Sequence, residues 1–191
     1  MLTKETEKQK FVPIVEGTTS VRWSETECRL SLRAKPEALT TISAATELDI
    51  PKTIGQRSTD VQMEVACIGP DEWMILCPTL DGARLTAALA DIYPNAPHSL
   101  TDISEREVTI AVSGSAAKEL LTLGIARDLD SFEVGEVRRT IMQDIQIVLW
   151  RDGENAFRID VWRSFADHLF SFLETGLREI EAEANLANPI H

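Results

Sequence analysis

Polar and apolar residues alternate through Cys28-Arg29-Leu30-Ser31-Leu32-Arg33, the period of a strand with one buried face. Pro36 suits the first turn of a helix, where its missing N–H costs nothing, and Leu39, Ile42 and Ala45 follow at helical spacing. Pro51 drives Ile50 out of the α region, so this helix should stop by residues 48–51. A polar loop containing Gly55 leads into a second alternating strand over residues 61–68. The Gly69-Pro70-Asp71 turn folds it onto an apolar strand at 73–77, predicting a hairpin. Thr79 is placed to cap a helix that runs through Leu85 and Leu89 to Ile92 and ends near Pro94.

The same plan then recurs. Val108, Ile110 and Val112 are the apolar positions of a strand over 107–114, and Ser115 caps the start of a helix that ends around Gly124. Strands are predicted at 137–141 and 145–150. The turn Arg151-Asp152-Gly153-Glu154-Asn155 leads to another at 157–162. Ser164, with Asp167 three residues on, has capping-box spacing for a final helix. Its stripe is Phe165, Leu169, Phe172, Leu173 and Leu177. Laid on one another, the passes match Leu48-Asp49 with Leu129-Asp130, Ile54-Gly55 with Val134-Gly135, Trp73 with Phe157, and Leu85 and Leu89 with Leu169 and Leu173. The expected fold is therefore α+β, with two duplicated ferredoxin-like βαββα units packed as a pseudo-twofold pair. The expected divisions are an N-terminal arm over 1–20, a first unit over 21–97, a second over 98–180 and a tail over 181–191. The turn-rich Asn95-Ala96-Pro97-His98-Ser99 separates the units.

Composition narrows the function. A net charge of −12 disfavours nucleic acid, which needs clustered cations. No apolar run approaches the ~20 residues of a membrane span, and the charged first ten residues lack a signal peptide's apolar core, so a cytoplasmic location is expected. No glycine-rich phosphate cradle occurs. His98, His168 and His191 have no His or Cys partner at ligand spacing, so no metal site is expected. Cys67 and Cys77 flank the hairpin, where they could face each other; with Cys28 they read as small buried hydrophobes. Asp102 could pair with Arg106, and Arg151 and Arg163 could bind a carboxylate tail. Neither arrangement includes a nucleophile and base. Catalytic and cofactor-binding residues are accordingly expected to be none. The candidate interface residues are Phe11, Val12, Trp23, Trp150 and Trp162, with the first two on an arm that frays or orders against a partner.

An ordered set of motifs resembles the gamma subunit of heterotetrameric sarcosine oxidase. It comprises Gly69-Pro70-Asp71-Glu72-Trp73-Met74-Ile75-Leu76, Asp102-Ile103-Ser104-Glu105-Arg106 and Ser113-Gly114-Ser115-Ala116-Ala117-Lys118-Glu119-Leu120-Leu121. It continues with Leu129-Asp130, Phe132-Glu133-Val134-Gly135, Phe157-Arg158 and Arg163-Ser164-Phe165-Ala166-Asp167. A more distant resemblance is to the folate-binding fold of the glycine-cleavage T-protein. The resemblance implies an accessory, non-catalytic chain. Its complex would oxidatively demethylate sarcosine to glycine, pass the one-carbon unit to tetrahydrofolate and form hydrogen peroxide. It places NAD and folate on the alpha chain, the flavins FAD and FMN on the beta chain or its interface with alpha, and zinc on the delta chain. The alternative is a stand-alone folate-binding protein, which requires a pocket between the two units with a carboxylate able to grip the pterin.

Overall fold

The alternating segments form two five-stranded sheets in which every paired strand is antiparallel. A computed structural model describes residues 19–187 of the chain, so Phe11 and Val12 lie outside the described residues. In chain order the elements are β1 (Thr19–Ser24), β2 (Cys28–Ala34), α1 (Leu39–Thr46), β3 (Arg57–Thr59), β4 (Glu64–Gly69), β5 (Glu72–Cys77), α2 (Thr79–Ile92) and β6 (His98–Asp102). There follow β7 (Glu107–Gly114), α3 (Ala117–Thr122), β8 (Val137–Met142), β9 (Ile145–Gly153), β10 (Ala156–Trp162) and α4 (Arg163–Ala187). The first sheet runs β3-β4-β5-β2-β6 and the second β8-β9-β10-β7-β1.

Each sheet buries one face under its helices. Leu30, Leu32, Trp73 and Ile75 pack with Ile42, Leu85 and Leu89 from α1 and α2. Ile110, Val112, Leu149, Phe157 and Ile159 pack with Leu120, Leu169 and Leu173 from α3 and α4. Burial of one such side chain stabilises by roughly 1.5–3 kcal/mol. A third apolar cluster joins residues of both sheets: Ala66, Ile68, Met74 and Leu76 meet Val137, Val148 and Trp150, with Ile103 beside them. The sheets therefore also face each other, and the strands' second faces are interior as well.

The two glycine turns matched in the sequence share their backbone geometry. Gly55 and Gly135 have φ of 95° and 92°, a region that disfavours any residue with a Cβ. The Gly55 N–H donates to Cys67 O and the Gly135 N–H to Arg151 O, both at 2.8 Å. The next residues repeat the likeness: Gln56 N–H donates to Thr53 O and Glu136 N–H to Glu133 O, each at 3.0 Å.

Three strands escape the hydrophobic pattern. β1, β3 and β6 lie at sheet edges, where main-chain pairing decides the conformation and polar residues suffice. β1 pairs with β7, setting Val21 opposite Val112, and β6 pairs with β2, setting Leu100 opposite Leu32. Each sheet thus takes an edge strand from across the partition expected at residue 97.

The expected helix caps also move. Thr79 is the first residue of α2 behind Pro78, whose geometry is extended and which makes no side-chain cap. At α3 it is Thr19, not Ser115, that meets the helix start: the Ala116 N–H donates to Thr19 Oγ1 at 2.8 Å. Ser164 lies within α4, which starts at Arg163. In the α4 stripe Phe165 is exposed, while Ala166 and Phe170 are buried in its place.

Candidate functional site

The seam between the sheets gathers three of the four buried charged side chains among the described residues, Arg29, Glu107 and Asp160. β2 turns Leu30 and Leu32 toward the helices, so period-two alternation aims Arg29, Ser31 and Arg33 at the second sheet. On β10, Phe157, Ile159 and Val161 face α3 and α4, leaving Arg158, Asp160 and Trp162 on the seam side. Arg29 and Asp160 meet there with side chains 2% and 1% exposed. Arg29 Nη2 donates to Asp160 Oδ1 at 2.9 Å and to Thr109 Oγ1 at 2.7 Å, and Nη1 donates to Glu107 O at 2.8 Å. Trp150 Nε1 donates to Asp160 Oδ2 at 2.7 Å. Both Asp160 oxygens are therefore engaged. Arg29 Nε is a buried nitrogen without a hydrogen-bond partner.

One end of the seam is closed by a ring of four charges. Arg57 Nη1 donates to Glu64 Oε2 at 3.2 Å and to Asp152 Oδ1 at 2.6 Å, and Arg158 donates to the same two carboxylates at 2.8 and 2.6 Å. Both guanidiniums lie over the Trp150 ring, at 5.9 and 4.8 Å from its centroid. Burial pushes the Asp152 carboxyl up, but the Arg158 and Arg57 hydrogen bonds outweigh it and hold the group below its ordinary range. The Arg158 guanidinium is shifted up in return by Asp152 and Glu64, against its own burial.

The other end opens into a cleft of about 300 Å³ lined by Arg33, Glu72, Arg106, Glu107, Arg139 and Asp160, with Trp162 at its mouth. Arg139 grips Glu72 with both nitrogens, at 2.9 and 2.7 Å. That bond, reinforced by the charges of Arg139, Arg33 and Arg106, keeps the Glu72 carboxyl low despite its burial. Arg106 pairs with Glu107 at 2.9 Å and lies over Trp162 at 5.5 Å. Each of the cleft's carboxylates is thus already held by a guanidinium of the same chain, which suits a joint between sheets better than acid–base chemistry.

The residues singled out in the sequence are dispersed. Asp102 does not pair with Arg106; it accepts from the Ser104 N–H and hydroxyl at 2.9 and 2.6 Å, and these bonds lower its pKa. Arg151 is no tail binder: it is buried and donates to the carbonyls of Phe132, Leu129 and Glu154, tying down the loop before β8. Arg163 Nε donates to Glu105 O at 3.0 Å. His98 Nδ1 lies 2.7 Å from Ala96 O and His168 Nε2 lies 3.0 Å from Gln143 Oε1. Cys67 sits opposite Trp73, and it is Cys28 that sits opposite Cys77. Burial, with Cys28 alongside, pushes the Cys77 thiol up to about 12, so it stays protonated and unreactive. Among the described residues no group of three or more His, Cys, Asp and Glu side chains could hold a metal ion. No described helix is long and apolar enough to cross a membrane.

Of the described interface candidates, Trp150 is fully buried inside the seam. It presents no ring to another chain, because Arg57, Arg158 and Asp160 occupy its surroundings. Trp23 is half-buried and stacks on Phe170 of α4, with centroids 4.6 Å apart. Trp162 stays 46% exposed. Sequence reading missed Arg29, Asp160 and the four-charge ring. Their one signal was that a strand's polar positions held Arg and Asp, and such positions ordinarily face water.

Comparison with known proteins supplies the family. The "Sarcosine oxidase, gamma subunit family" matches residues 32–179. The sarcosine oxidase gamma subunit of Corynebacterium sp. (strain P-1) is 27% identical over 172 residues, covering 87% of this chain and 84% of that protein. That of Corynebacterium sp. (strain U-96) is 29% identical over 159 residues, covering 81% and 77%. A chain of the heterotetrameric sarcosine oxidase from Corynebacterium sp. U-96, solved with pyrrole 2-carboxylate, superimposes with a TM-score of 0.77 at 28% identity, covering 86% of this chain and 87% of that one. The glycine cleavage system aminomethyltransferase T from Bartonella henselae shares the fold, with a TM-score of 0.57 at 15% identity, covering 76% of this chain and 42% of that one. The chain belongs to the sarcosine oxidase gamma subunit family.

Proposed function

We propose that this chain is the accessory gamma subunit of a cytoplasmic sarcosine oxidase complex, in which alpha, beta and delta chains carry the chemistry. The complex demethylates sarcosine to glycine with oxygen, passes the one-carbon unit to tetrahydrofolate and releases hydrogen peroxide. FAD, FMN, NAD, tetrahydrofolate and zinc belong to the partner chains in this reading. The carrying observation is the family match over residues 32–179. The internal pairing of Asp160, Glu72 and Glu107 is in keeping with it. The halves 21–97 and 98–180 are read as ferredoxin-like copies of one ancestral unit that exchanged edge strands. The parallel sheet orders and the paired glycine turns support that reading. Purification of the tagged chain from its own cells tests the proposal. A yellow complex that turns over sarcosine, with the isolated chain inactive, is expected; turnover by the isolated chain, or its return alone and colourless, overturns it.

A second reading, a stand-alone folate binder, draws on the cleft of about 300 Å³ with the Asp160 carboxylate in its lining. Its difficulty is that Arg29, Thr109 and Trp150 already use that carboxylate. A folate titration of the isolated chain that shows no binding removes it.

A further inference from the structure

The seam face of the second sheet carries successive cross-strand rows. One runs Ala111, Arg158, Trp150, Val137, and the next Thr109, Asp160, Val148, Arg139. The first sheet meets both of these, through the four-charge ring, the Arg29–Asp160 pair and the Glu72–Arg139 bridge. Beyond them Glu107 pairs with Trp162 and Gln146 with Ile141. This last row overhangs the cover: Trp162 is 46% exposed and Ile141 57%. The overhang continues the seam face past the point where this chain supplies the other side. Arg106 lies over Trp162. Across the cleft mouth the exposed Arg33 guanidinium is held only loosely, at 3.4 Å from Asp71 and 3.5 Å from Glu72.

We propose that this overhang docks another subunit of the oxidase, which lays an apolar side chain over Trp162 and Ile141 and offers a carboxylate to Arg33. The inference rests on the gamma-subunit reading and adds the surface and the chemistry of its partner. Three observations carry it. The face is continuous with the seam, whose covered part buries the apolar Val148 and Trp150 beside its paired charges. The charge at the mouth differs from that of the chain: net charge is −12, yet the cleft lining sets three guanidiniums against three carboxylates. Arg33 also reaches Asp71, which lies outside the lining, at 3.4 Å. Finally, exposed tryptophan beside arginine is the composition in which binding energy concentrates. Val61 and Leu80 are more exposed still, but they stand singly, which is ordinary for a soluble surface.

The test uses the tagged full-length chain purified with the complex it forms. A photoreactive benzoylphenylalanine replacing Trp162 should attach, on illumination, to another subunit, at a peptide where an apolar residue neighbours an acid. The same probe replacing Leu80, on the helix-covered side of the first sheet, should attach to none. Trp162→Asp should weaken retention of the partner subunits by roughly thirtyfold. Ile141→Asp and Arg33→Glu, on other strands, should weaken it less, with the melting temperature of the isolated chain unchanged. Adducts confined to this chain or joining two copies of it overturn the surface and leave the subunit reading standing. So does undiminished retention by Ile141→Asp and Arg33→Glu together. A wild-type chain that brings no flavin-containing partner overturns both.

Discussion

The two ends of the covered seam are held by the same residue types under different conditions. At the Arg29–Asp160 end the charges are almost fully buried, and every bond runs to a fixed neighbour. At the ring end Arg57, Glu64, Asp152 and Arg158 keep 14 to 29% of their side chains in water. Desolvation makes a buried pair costly to form and costlier to break, because the partner left behind is charged and dry. Partly wet charges lose less when one is removed, since water takes the vacated place. The buried end therefore fixes how the sheets sit, and the wet end adds smaller increments along the same seam.

The largest expected effect breaks the buried end. Arg29→Leu strands Asp160 and should cost about 3–5 kcal/mol, seen as a lower urea midpoint. Arg29→Leu with Asp160→Leu should restore much of the loss, because the stranded charge is gone. A double variant as unstable as the single would show that the shape, rather than the charge, of this pair holds the sheets.

The glycine turns sharpen the contrast near the ring. A Cβ at Gly55 would collide with the Arg138 guanidinium, whereas one at Gly135 meets nothing within 4 Å. Gly55 O also accepts the Val137 N–H at 2.9 Å, a main-chain link across the seam. Gly135→Ala should cost only the backbone strain of positive φ, about 1 kcal/mol. Gly55→Ala should cost about 2–3 kcal/mol, since Arg138 must also move. Equal losses would mean that strain alone matters at both turns.

Smaller again is the ring itself. Asp152→Asn should cost about 1 kcal/mol, and the difference should shrink in ~1 M salt, which screens the wet end within about 3 Å. The Arg29→Leu loss should be insensitive to the same salt. pH offers the finest probe. The Asp152 and Glu72 carboxyls are both held below their ordinary values. Their ionic contribution is therefore fully present above the ordinary carboxylate range, about pH 4, and is lost as pH falls through the lower folded values. The gap between wild type and Asp152→Asn should stay constant down to about pH 5 and close in more acidic urea titrations.

The apolar side of the fold was legible in the chain. Leu85 and Leu89 occupy in the first half the buried helical positions that Leu169 and Leu173 occupy in the second, and Trp73 lies as deep in its sheet as Phe157. Gly55 and Gly135 announced matching turns, because positive φ leaves glycine little competition. The seam was not legible. Arg29 and Asp160 lie 131 residues apart, and no local pattern links them.

The sequence by itself determined which residues share a strand face, which stretches turn, and which helix stripes are apolar, since those follow from periods of two and 3.6 and from local backbone sterics. The tertiary structure alone decided that the polar strand faces would meet each other instead of water. It also decided that Thr19–Ser24 and His98–Asp102 would complete the sheets across the midpoint of the chain. Alternation separates two faces without saying what covers either. A polar edge strand has no pattern of its own; it forms because the neighbouring strand's N–H and C=O groups need partners.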